Sequence, residues 1–159
     1  MSFPEDPPET SVHASVVAGV RAAGILEEAC RESLEGSDTL HLMVVRDLAQ
    51  NIQQELDALS RRIASGKPAG LIVDAALACA DLATLAACNL TAMSPEEAHR
   101  TVDAVHLAAR AANSLAGSVG EESPNNKMEY LMRDARGAKW RADLASRQAD
   151  ELRASGEAG

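Results

Sequence analysis

Between Val45 and Ile63 the apolar residues Val45, Leu48, Ile52, Leu56, Leu59 and Ile63 recur at steps of three or four. That period places them along one side of an α-helix, with the spacing a helix needs to pack lengthwise against others. The residues between them, Arg46, Gln50, Gln53, Asp57 and Arg61, are polar and fall on the opposite side. A half-buried strand would instead alternate at two, and no stretch of the chain shows that pattern. The feature thus predicts a lengthwise-packed helix and directs attention to what surrounds it.

The same reasoning predicts four more helices. Helix one spans about residues 12–34, with Ser11 as N-cap and Gly36 as stop. Val16, Val20, Ala23, Cys30 and Leu34 lie on one side of it. Gly19 and Gly24 weaken it, which is expected where a neighbour packs closely. Helix two runs from about residue 39 to 64, capped by Ser37 or Asp38 and ended by Ser65-Gly66-Lys67-Pro68. Helix three, about 69–92, is apolar nearly all round and so is expected to be the most buried. Ser94-Pro95-Glu96-Glu97 then supplies an N-cap serine, a first-position proline and a third-position glutamate, the order of a capping box. It opens helix four, which runs to about Leu115. After a loop at 117–124, helix five covers about 125–153. Met128, Met132, Ala135, Ala138, Ala142, Ala145, Ala149 and Leu152 give it a narrow stripe, mostly of alanine.

Composition agrees with this. Aromatics are limited to Phe3, Tyr130 and Trp140, whereas sheets favour aromatic and β-branched residues. The fold class expected is all-α: an up-down antiparallel bundle of four long helices plus a fifth, C-terminal helix, since short loops favour antiparallel neighbours. Residues 1–10, with Pro4, Pro7, Pro8 and three acids, read as a disordered acidic leader. Residues 11–155 form a single domain, and 156–159 a disordered tail.

The net charge of −9 works against nucleic-acid binding, which needs cations to replace counterions. The leader lacks the basic and apolar regions of a signal peptide. Asp74 and Asp81 break the one apolar run that approaches membrane-spanning length, so no membrane association is expected. Three cysteines, Cys30, Cys79 and Cys88, without a CxxC pair, imply reduced thiols and a cytoplasmic location.

Two polar ladders cross this apolar pattern. Asp74, Asp81 and Cys88 recur at steps of seven on helix three, and His99, His106 and Asn113 do so on helix four. Steps of seven drift by only about 20° per heptad around a helix. If the two helices fold back about Met93 and Ser94, Asp81 meets His106, Cys88 meets His99 and Asp74 meets Asn113 at equal heights. A carboxylate beside an imidazole orients it for acid–base work. Cys88, His99, His106 and Asp81 are also metal ligands by type. The plainer readings are a solvent-facing stripe or a hydrogen-bonded seam that sets register. Rows seven residues apart are roughly 10 Å apart along a helix, so one metal ion reaches only one row. Glu96-x-x-His99 matches one step of a di-iron site, but no second Glu-x-x-His accompanies it. A phosphate loop, GxSxG and HExxH are all absent.

Helix five holds seven of the fifteen basic residues. Trp140 with Arg136 and Arg141 forms a candidate interface, since tryptophan beside arginine is a common anchor. The alternative is that Trp140 packs with Leu144 on the bundle. The segment IASGKPAG…AALACADLATLAACNLT is similar to the start of the helical cyclodeaminase domains of folate metabolism, in which a Pro-Gly-Gly-Gly-Ser loop precedes an alanine-rich helix ending in Asn-Leu-Thr. Here that loop reads Lys67-Pro68-Ala69-Gly70-Leu71, without the glycines that would contact ligand, and no residue role is carried over.

The function expected is therefore that of a non-enzymatic soluble helical bundle acting through oligomerisation, or through contacts with a helical protein partner. The alternative is a small-ligand- or metal-binding bundle, with or without enzymatic activity, using the Asp/His/Cys seam. No particular cofactor is implied.

Overall fold

The structure is a computed structural model and describes residues 8–34, 40–64, 69–119 and 126–158. These form five α-helices and one short 3-10 turn, with no strand among them: α1 (Pro8–Leu34), α2 (Leu40–Ala64), α3 (Ala69–Cys88), the turn Leu90–Ala92, α4 (Pro95–Val119) and α5 (Asn126–Ala158). The chain is an all-α bundle.

Side-chain bonds between helices show how neighbours run. Gln50 donates to Glu27 (2.8 Å), Gln53 to the Val20 carbonyl (3.2 Å), and the Ser60 hydroxyl lies 3.4 Å from His13. Numbers rise along α2 as they fall along α1, so these two are antiparallel. The same holds for α4 and α5, where Asn113 meets Asp143, His106 meets Ser146 and His99 meets Arg153. α1 packs on α2 and α4, while α5 packs on α3 and α4; α2 meets α3 more sparsely.

The core is held by leucines and small residues. Leu26, Leu42, Leu56, Leu82 and Leu115 are fully buried, each worth about 1.5–3 kcal/mol relative to exposure. α3 is the central element, as its composition predicts: twelve of its twenty residues are buried. It also has the length and apolarity of a membrane-crossing helix, and most of that stretch is covered by the rest of the bundle. At Gly19 α1 packs tightly on its neighbours; a Cβ there would sit 2.6 Å from the Cys79 sulfur and 3.0 Å from a Leu56 methyl.

Helix boundaries differ from expectation at both termini. α1 begins at Pro8, inside the stretch read as a leader, which places Ser11 within the helix. Proline suits a first helical position because its missing N–H would have no intrahelical partner there. α5 continues to Ala158, past the expected end near Arg153 and into the stretch read as a tail. Residues 1–7 and the caps proposed at Gly36, Ser37, Asp38 and 65–68 lie outside the described residues.

α3 ends at Cys88, before the expected limit of 92. Asn89 is buried there; its amide donates to the Leu85 carbonyl (2.7 Å) and its Oδ1 pairs with His41 at the start of α2. A 3-10 turn follows, whose Leu90 carbonyl accepts from the Met93 N–H. The predicted α4 start is present: Pro95 is the first helical residue, the Ser94 carbonyl accepts from the Ala98 N–H (2.8 Å), and Glu96 and Glu97 occupy the first turn. Acids there favour the positive end of the helix dipole.

Candidate functional site

α5 lies in the groove between α3 and α4 because its inner stripe is small. Ala135, Ala138, Ala142, Ala145 and Ala149 are all buried, and alanine lets helix backbones approach closely while keeping the best helix propensity. The polar residues beside that stripe then reach the two flanking helices, and they determine what becomes of the ladders.

On the α3 side, Arg141 donates to Asp81 (2.9 Å). Cys88 is exposed and borders a shallow cavity with Gln148, Glu151 and Leu152 of α5. Asp74 is exposed. On the α4 side, Asn113 donates to Asp143 (3.1 Å), His106 Nε2 lies 2.9 Å from Asp150, and His99 Nδ1 lies 3.5 Å from an Arg153 nitrogen. Positions 141 and 143 are about 200° apart around a helix, so the two sets of bonds leave α5 in different directions.

The expected rows are therefore replaced. Asp81 is bonded to Arg141, not to His106; His99 faces Arg153; and Asn113 is bonded to Asp143. The reason is α5 itself. Equal height on an antiparallel hairpin brings two residues together only if both point along the line between the helices, whereas these ladders flank a third helix laid over that line. Among the described residues no group of three or more His, Cys, Asp and Glu side chains comes close enough to hold a metal ion. The Asp81–Arg141 pair is about half exposed on both sides, and solvent-accessible pairs of this kind contribute at most about 1 kcal/mol.

One ordered chain does arise that the ladders did not foretell. The Ser146 hydroxyl lies 3.4 Å from His106 Nδ1, and Asp150 lies 2.9 Å from Nε2. Hydroxyl, imidazole and carboxylate in that order make up a nucleophilic triad. Here all three stand within helices, where their own backbone N–H groups are committed to helical bonds. The three side chains link α5 to α4. The signal for it was the step of four from Ser146 to Asp150, which sets both on one face of α5.

The interface candidates separate. Trp140 is 63% exposed and Arg136 is exposed, both on the outer face of α5, so Trp140 does not pack inward with the half-buried Leu144. Arg141 is engaged by Asp81 and faces the bundle. Sequence reasoning missed a larger apolar surface on α2: Leu40 is 78%, Met43 50%, Val44 56% and Leu48 44% exposed. Leu48 was expected on the packed face. The available signal was LHLMVV, which is apolar on both sides of the first two turns and exceeds what one buried face can hold.

Among known proteins, no family model and no curated protein matches this chain.

Proposed function

We propose that the chain is a non-catalytic helical bundle that acts by self-association, two copies joining through the first half of α2. The observation that carries this reading is the row Leu40, Met43, Val44 and Leu48, exposed along two turns of one helix. A contiguous apolar surface of this kind marks an interaction site.

Charge favours a second copy as the occupant. The chain carries −9 overall, so most of its surface repels another copy. Residues 40–54 hold one cation, Arg46, and one anion, Asp47, and are neutral apart from His41. A two-fold contact sets the same patch against itself, and a neutral apolar patch tolerates this without like-charge cost. The three free thiols accord with a reducing, cytoplasmic setting.

Light scattering from about 1 μM to 1 mM tests this. The native chain is expected to pass from monomer to dimer. Leu40→Glu/Val44→Glu is expected to weaken association by at least about 100-fold, roughly 3 kcal/mol, with helix content retained and with the melting temperature that the native chain shows at monomer concentrations, because both side chains are exposed in the monomer. A native chain that scatters as a monomer throughout refutes the reading.

A further inference from the structure

We infer that a cavity where α4 begins and α5 nears its end binds a small monocarboxylate with an apolar body. The cavity measures about 350 Å³ and is built from three elements. Leu90 of the 3-10 turn, Pro95, Ala98 and Val102 of α4 and Leu152 of α5 make its apolar wall. Among the described residues its only ionisable lining groups are His99 and Arg153. On a chain with 24 acids and net charge −9, an apolar hollow rimmed by a guanidinium and an imidazole, with no carboxylate among its described lining residues, selects an anion.

The donors have capacity to spare. Arg153 makes two long contacts, 3.5 Å to His99 Nδ1 and 3.8 Å to Asp103. A guanidinium presents five N–H groups in a planar fork, the geometry that grips a carboxylate with two parallel bonds. It has no acceptor, so in their contact the guanidinium is the donor and His99 Nδ1 the acceptor. The apolar wall sets the rest of the ligand. Its size is that of small-molecule sites, which are mostly apolar with a few polar groups fixing orientation. A single arginine in such a wall suits one negative charge on a hydrocarbon body; a phosphate group brings more charge than these donors compensate.

The test uses octanoate as probe, with 1-octanol and octylamine as matched chains bearing no charge and positive charge, each titrated into the full chain by calorimetry. Octanoate is expected to bind with Kd of about 0.1–1 mM, given its size. Octanol is expected at least tenfold weaker, and octylamine is expected not to bind. Arg153→Gln should weaken octanoate at least tenfold and leave octanol unchanged. Ala98→Phe, at a half-buried position, should fill the hollow and abolish binding of both while the helices stay folded, so a loosened α5 in the arginine variant cannot imitate the result. Equal affinity for octanoate and octanol, full octanoate affinity in Arg153→Gln, or no octanoate binding overturns the assignment. None of these readouts depends on α2.

Discussion

Gly19→Leu is expected to lower stability by about 3 kcal/mol or more, at the upper end of what overpacking costs in a filled core. A Cβ at this position already overlaps the Cys79 sulfur and touches Leu56, and three further carbons have nowhere to go. Total stabilities run to about 5–15 kcal/mol, so this one change removes a large share. Alanine is the finer probe. Replacing a helical glycine by alanine normally gains up to about 1 kcal/mol. Gly117→Ala, where nothing lies within 4 Å, should show that gain. Gly19→Ala should show a loss instead. Combining it with Cys79→Ala should recover about 1 kcal/mol, since the new methyl occupies the room the sulfur vacates. Urea unfolding of the four variants measures all of this. A Gly19→Leu chain as stable as the native one would mean that α1 does not lie this close to α3.

Alkali is expected to destabilise the bundle progressively above about pH 9. Burial pushes the Cys79 thiol up to about 12, and pushes Cys30 up to about 11 with Arg46 partly offsetting it, from 9.0 for a free thiol. Above pH 9 the unfolded chain releases these protons while the native chain retains them. The contribution is therefore intact below pH 9 and is lost as pH rises towards 11 for Cys30 and 12 for Cys79. Each thiol costs about 1.4 kcal/mol per pH unit within its window, or roughly 5 kcal/mol for the pair by pH 11. Urea midpoints at pH 7, 9, 10 and 11 should be level over the first two and then fall. Cys79→Ala starts lower, because it leaves a small void, but should fall about half as steeply. A native midpoint unchanged at pH 11 would contradict the enclosure of both sulfurs.

How far these features were legible depended on whether they were local. The α4 start was readable because a capping sequence acts within four residues, and Pro95 leaves little freedom over where the helix opens. The burial of α3 was readable because a helix apolar on every side must be surrounded. Leu48 is exposed although it sits in a three-four row, because the first half of α2 carries apolar residues on two faces and only one of them is covered. The rows Asp81–His106 and Cys88–His99 failed for a tertiary reason: the turn about Met93 sets height along the helices but says nothing of a third helix laid across them. The carboxylate cavity was not legible at all. Its wall joins Leu90 and Val102 to Leu152, residues far apart in the chain, and a pairing between α4 and α5 has to be known before they can be seen as neighbours.

Trp140 stands outside the alanine-lined packing, 63% in solvent, and it is the sole indole of the chain. Its fluorescence therefore reads the surface. Melting the bundle leaves that ring in water much as before, so emission colour is a poor gauge of denaturation here. Anything that settles on the outer side of α5 shields the ring and shifts its light to the blue, which gives the molecule a built-in optical reporter of docking on that side.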